Sequence, residues 1–166
     1  MKAQLRPDVF LLCAAFLTAL AALAAAWIAQ YIFGLFPCKL CLYQRLPYYG
    51  VVACSLLALM PVMDPDSRRS VVTLIALLFL TTSGIAGFHV GVEKGWWDSS
   101  CSISSSSFFS IDDIRTALQK PGIASCDEVP FRFLGLSIAT YNMIAGLALA
   151  SLAFWTTKQE SFWKSK

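Results

Sequence analysis

Pro37-Cys38-Lys39-Leu40-Cys41-Leu42-Tyr43-Gln44-Arg45 lies between two long apolar runs, and the rest of the chain is organised around it. Two thiols at this spacing can close a small disulfide and open it again. A helix beginning near Pro37 places them at its N-terminus, where the dipole and the exposed N–H groups favour thiolate over thiol. Proline suits a first helical position, since its missing N–H is not needed there. On such a helix Cys38, Cys41 and Arg45 fall at i, i+3 and i+7 and share one face, with a fixed cation one turn from the second sulfur. Pro47 offers a second reading, in which the regular helix begins there and the cysteines occupy a looser turn before it.

The 166 residues are 57% hydrophobic and only 14% charged, against about one quarter charged in a soluble domain. The apolar residues are gathered into blocks, which argues for an integral membrane protein. A net charge of +3, scattered along the chain, gives no footing for nucleic acid. Of six cysteines, Cys38, Cys41, Cys101 and Cys126 lie outside the apolar blocks. Cys13 and Cys54 lie within them and read as small hydrophobes.

After a short polar lead, the apolar run from Val9 to Phe36 exceeds the roughly 20 residues needed to cross a bilayer. Ala24-Ala25-Ala26 resembles a signal-peptide cleavage site, but the run continues well past it. The spacing predicts spans at about 10–33, 46–63, 71–92 and 133–157 within a single membrane domain, 1–166. Gly84, Gly87 and Gly91 in the third block suggest close helix approach, and Trp96-Trp97 suit an interfacial belt. Residues 93–132 form the long polar segment. Within it, Ser110 and Asp113 resemble a capping box. Ile111, Ile114 and Leu118 then share one helical face, and Pro121-Gly122 ends the pattern. That helix is expected either to lie on the membrane or to pack on its own loop. The fold class expected is all-α and membrane-integral: a four-transmembrane-helix bundle with a long extracytoplasmic loop carrying a short amphipathic helix.

Four spans put both termini on one side, together with Arg68-Arg69, Lys2, Arg6 and the tail residues Lys158, Lys164 and Lys166. The density of these cations near helix ends favours termini inside. The C-x-x-C pair then shares the extracytoplasmic side with Cys101 and Cys126. Four thiols on an oxidising face, in two pairs, read as disulfide chemistry.

These features together resemble the bacterial disulfide bond formation protein B family, DsbB. The resemblance rests on four of them. They are Cys38-Lys39-Leu40-Cys41-Leu42-Tyr43-Gln44-Arg45 after span one, Cys101 and Cys126 with 24 residues between them, Phe133-Leu134-Gly135-Leu136 leading into span four, and the four-span order. It covers nearly the whole chain. It implies a quinone-dependent protein-disulfide oxidoreductase of the bacterial inner membrane, multi-pass, with cytoplasmic termini and periplasmic cysteines. Its partners would be a DsbA-like periplasmic thiol oxidase, the membrane quinone pool and the bilayer.

By the same resemblance Cys101 is the thiol attacked by the reduced partner, and Cys126 is then released to attack Cys38. Cys41 becomes the thiolate facing a bound ubiquinone or menaquinone, which Arg45 helps to hold. Cys38–Cys41 and Cys101–Cys126 are the expected resting disulfides. Some members have a Glu-His pair at the outer end of span three. Here the matching pair is Glu93-Lys94 and the one histidine is His89, so Lys94 and His89 are both carried as quinone-side residues. His89 and Glu93, four apart, can pair on a helix.

Two other functions fit the sequence less well. An outward reductant conduit needs a second paired motif on the inner side, and Cys13 is single. A static scaffold would use the cysteines as staples or zinc ligands, but the second pair is not C-x-x-C. No metal site is expected.

Overall fold

The computed structural model describes residues 7–97, 124–129 and 131–163. Cys101, the serine run and the loop helix expected at 110–118 lie outside the described residues. Helix α1 (Pro7–Tyr31) opens with proline and Asp8 in its first turn and is almost wholly apolar thereafter. Gly34, at φ 66°, helps turn the chain after it. Helix α2 (Lys39–Ala58) starts directly after Cys38 and carries Pro47 inside it, so the helix does not wait for Pro47. The second apolar block, expected at 46–63, is thus helical from 39 to 58. Its first turns mix Lys39, Gln44 and Arg45 with apolar residues, a stretch that hydropathy alone assigns to a connection.

Helix α3 (Pro65–Glu93) is capped by Asp64, whose carboxylate accepts from the Ser67 N–H at 3.0 Å. It ends where Gly95, at φ 67°, lets the Gly95 N–H reach the Val92 carbonyl and the Trp96 N–H reach that of Gly91, a Schellman closure. The fourth apolar block is not helical from residue 133. Strands β1 (Arg132–Phe133) and β2 (Leu136–Ser137) pair antiparallel, Phe133 opposite Leu136. Leu134 and Gly135 turn between them, both at positive φ, as a two-residue hairpin turn demands. Helix α4 (Ile138–Lys158) begins only after Ser137, whose hydroxyl accepts from the Thr140 N–H at 3.2 Å. A short helix, α5 (Glu160–Trp163), follows.

Among the described residues, α1, α3 and α4 are long and apolar enough to cross a membrane. Helix α2 is not one of these; it packs along α1 and α3. The burial pattern is that of a membrane protein. Leu17, Leu20, Leu147, Leu152 and Trp155 are exposed, while Gln44, Ser55, Thr82, Ser83 and His89 are buried. Backbone and side-chain polar groups have no water partner in hydrocarbon, so they turn inward.

The tightest contact is between α3 and α4. A Cβ on Gly146 would stand 3.0 Å from the Phe79 carbonyl oxygen and 3.1 Å from Ser83 Cβ. Of the three α3 glycines, only Gly87 faces α4, against Met143; Gly84 faces open space, and Gly91 leaves room for the Trp97 ring. At the far end of the bundle from Cys38, Asp8 and Arg68 form a buried ion pair at 2.8 Å. This pair sets the starts of α1 and α3 at one end. Trp163 of α5 is buried at that same end, in the core cluster that α1 and α3 share.

Candidate functional site

Cys38 is the N-cap of α2, its sulfur taking the place of the usual capping oxygen: Sγ accepts from the Cys41 N–H at 3.2 Å. One turn in, the Cys41 thiol reaches back to Cys38 Sγ at 3.0 Å. Both are free thiols, so the structure holds this pair in its dithiol form, with the sulfurs already in contact. The expected Cys38–Cys41 disulfide needs them to close by about 1 Å. The Cys38 thiol is pulled down to about 4. The hydrogen bond from Cys41 is the main cause, and contact with His89 adds to it against the opposing effect of burial.

His89 comes from the last turns of α3 and is buried. Its Nε2 lies 3.6 Å from Cys38 Sγ and 3.7 Å from the Glu93 carboxylate. The expected i, i+4 pairing of His89 with Glu93 is therefore present as a loose contact. The Cys126 backbone also hydrogen-bonds the His89 ring. Cys126 is fully buried, packs with Cys38 and Val92, and is disulfide-bonded. None of the other described cysteines is its partner, since each is a free thiol.

These groups face a cavity of about 510 Å³, enclosed by α1, α2, the ends of α3 and α4, and the segment around Cys126. Cys38, Cys41, Arg45, His89 and Glu93 all line it. Its α1 wall is Leu23 with Ala22, Ala25, Ala26 and Ala29; the four small side chains leave space open. Arg45 crosses to that wall, donating to Gln30 Oε1 at 2.7 Å and to the Ala26 carbonyl at 3.3 Å. Gln30, unremarked in the sequence, is thus the residue that aims the guanidinium. Lys94 is not brought to the cavity: it caps α3 and lies over the Trp96 ring at 5.3 Å. The Schellman closure turns the chain just after Glu93, so the carboxylate faces the site and the lysine faces away.

Gln44, Tyr48 and Asn142 also line the cavity and were not singled out from sequence. A polar side chain within an apolar block is the signal that points to them. The ligand atoms of Cys38, Cys41 and His89 lie within 4.8 Å of one another. Two thiolates on tetrahedral zinc stand about 3.7 Å apart, whereas these sulfurs are 3.0 Å apart. The spacing suits a dithiol poised to close better than a metal centre.

Residues 8–156 match the family model described as disulfide bond formation protein DsbB. The chain is 33% identical over 146 residues to a disulfide bond formation protein B of Xanthomonas axonopodis, covering 82% of this chain and 84% of the relative. It is 31% identical over 147 residues to the protein of the same name from Marinobacter nauticus, covering 82% and 80%. An uncharacterized Rickettsia prowazekii protein is 32% identical over 132 residues, covering 77% and 75%.

Proposed function

The chain belongs to the DsbB family of disulfide bond formation proteins, and on that premise we propose that it is a membrane thiol:quinone oxidoreductase. It reoxidises a periplasmic DsbA-like thioredoxin-fold donor through Cys101/Cys126 and Cys38/Cys41. Helix α2 makes a fourth crossing, which sets both termini in the cytoplasm and the cysteines on the periplasmic side of the bacterial inner membrane.

One observation carries the reading: two thiols 3.0 Å apart on the wall of an apolar cavity that also receives Arg45 and His89. The cavity falls in the size range of small-molecule sites, and its apolar walls with a few polar groups at one end suit a quinone. Arg45 and Cys41 are the residues that would hold the ring, with His89 beside Cys38. A quinone bound there, ubiquinone or menaquinone, supplies the acceptor for two electrons and two protons.

The remaining chemistry belongs to the chain. The partner's thiolate attacks Cys101 and frees Cys126 as a thiolate. The partner's second thiol resolves that mixed disulfide, and the oxidised partner leaves. Cys126 attacks Cys38 of the Cys38–Cys41 disulfide, and Cys41 leaves as a thiolate, beside Arg45. Cys101 then attacks Cys126, restoring the loop disulfide and leaving Cys38 and Cys41 reduced.

The test is quinone consumption by the purified protein, driven by a reduced thioredoxin-fold partner. Cys101→Ala is expected to abolish partner oxidation while leaving quinone reduction by a small dithiol partly intact. No quinone loss with the wild-type protein, or identical defects for Cys101→Ala and Cys41→Ala in both assays, overturns the reading.

A further inference from the structure

A hydrogen-bonded chain runs from the middle of the bundle to Cys38, and its polarity is set at one end. The Thr82 hydroxyl donates to the Gln44 main-chain carbonyl at 3.0 Å, a group that only accepts. With its single hydrogen committed there, Thr82 Oγ1 accepts from its other neighbour, Asn142, 3.3 Å away. The Asn142 atom facing Thr82 is therefore Nδ2. The same Nδ2 donates to Gln44 Oε1 at 2.6 Å, and Asn142 Oδ1 accepts from the Tyr48 hydroxyl at 2.5 Å. Gln44 thus turns its oxygen toward Asn142 and its NH2 toward His89 Nδ1, 3.0 Å away. Nδ1 accepts, so a neutral ring carries its hydrogen on Nε2. Nε2 faces Cys38 Sγ and the Glu93 carboxylate.

We infer that Thr82, Asn142 and Gln44 are positioning residues that lock His89 as the Nε2–H tautomer, making the imidazole a fixed hydrogen-bond donor to the Cys38 sulfur and not the base that takes its proton. The Nδ1 lone pair is engaged by the Gln44 NH2, and a second ring proton there would face that same NH2. When Cys38 gives up its proton, the proton goes to a group other than the imidazole, with the Glu93 carboxylate on the same cavity. The other charged or titratable groups on the cavity are Arg45, tied to α1, together with Glu128, Tyr48 and Tyr141. The consequence for thiol exchange rests on the proposed role of Cys38. The tautomer itself does not, and its test needs neither quinone nor partner.

His89 is the one histidine in the chain, so nitrogen-15 NMR of the histidine-labelled full-length protein in detergent reports that ring alone. The wild type is expected to show hydrogen on Nε2 and an accepting Nδ1, with the cysteine pair reduced or oxidised. Asn142→Asp nearly keeps the side chain's shape and touches neither ring nor sulfur, but it has no donor for Gln44 Oε1. Gln44 is then free to turn its oxygen to the ring, and the hydrogen is expected to move to Nδ1. In the same reduced variant, the pH profile of Cys38 alkylation by a small neutral reagent is expected to shift upward by about 1–2 units, the scale of one hydrogen bond to a charged group. Thr82→Val, which removes the end of the chain that sets its polarity, serves as the second variant should Asn142→Asp not fold. An Nδ1–H ring in the wild type overturns the proposal. So does an Nε2–H ring that persists in whichever of these variants folds.

Discussion

The two ends of the helix bundle handle buried polar groups in opposite ways. At the end that holds the start of α1 and the short helix α5, Asp8 and Arg68 form a direct ion pair, and Arg68 also reaches the Met60 carbonyl at 3.4 Å. Trp163 seals the same end, its indole N–H donating to the Thr156 carbonyl. At the Cys38 end Arg45 and Glu93 line a cavity, and the groups that run up to Cys38 are amides, hydroxyls and an imidazole joined in sequence. Two opposite charges in a low-dielectric interior hold each other but leave nothing free to react. A chain of neutral groups can hold a sulfur in place while allowing it to gain or lose a proton. The ion-paired end is built as a clamp, and the cavity end as a site.

The sharpest way to break this comparison is Cys41→Ser. Quinone reduction is expected to fall to background in steady-state assays, while thermal unfolding in detergent stays near that of the wild type. A large loss of stability would mean that the sulfur end also acts as a clamp. At the opposite end, Arg68→Met removes one partner of a buried ion pair and is expected to cost about 3–5 kcal/mol. Asp8→Asn combined with Arg68→Met should recover much of that loss. Unfolding in denaturant measures both, and protein that remains folded should keep its thiol chemistry.

Arg45 lies between these extremes. Arg45→Met is expected to raise the apparent quinone KM and to lose about 2–4 kcal/mol of transition-state stabilisation. Arg45→Lys should be milder, since a point charge does not reproduce the planar fork that spans Gln30 and Ala26. Kinetics over a range of quinone concentrations, alongside trapping of the Cys101 mixed disulfide, checks this; partner exchange at Cys101 should be nearly unchanged. The smallest effect separates two glycines. Gly146→Ala drives a methyl against the Phe79 carbonyl and should cost about 1–3 kcal/mol. Gly84→Ala meets nothing within 4 Å and should be neutral or stabilising by about 0.5–1 kcal/mol. Comparing the two unfolding midpoints tests whether the α3–α4 contact is as close as the structure has it.

Much of this architecture was legible from local signals. Long apolar runs at α1, α3 and α4, the Asp64-Pro65 start of α3, and a C-x-x-C with Arg45 on the same helix face are all properties of spacing along one segment. The resemblance to the DsbB family rested on such segments as well. The start of α4 was missed because Phe133, Leu134 and Leu136 are as apolar as the helix they precede. Only the positive φ at Leu134 and Gly135, together with the Ser137 cap, separates hairpin from helix. Lys94 was placed beside the quinone because it follows Glu93, yet the single turn that ends α3 sends the two side chains in different directions.

By itself the sequence determined that this is a membrane protein with a pair of thiols at the head of a helix, because bilayer length and i, i+3 spacing need no knowledge of neighbours. Which groups surround that pair was decided by tertiary structure alone. Gln30, Gln44, Thr82, His89 and Asn142 come from four helices, and each reads singly as a polar residue in an apolar run. A buried hydrogen bond acquires direction only when both partners are in place. The orientation of His89 toward Cys38 is therefore a property of the packed bundle, set by a threonine, a main-chain carbonyl and two amides that lie far apart along the chain.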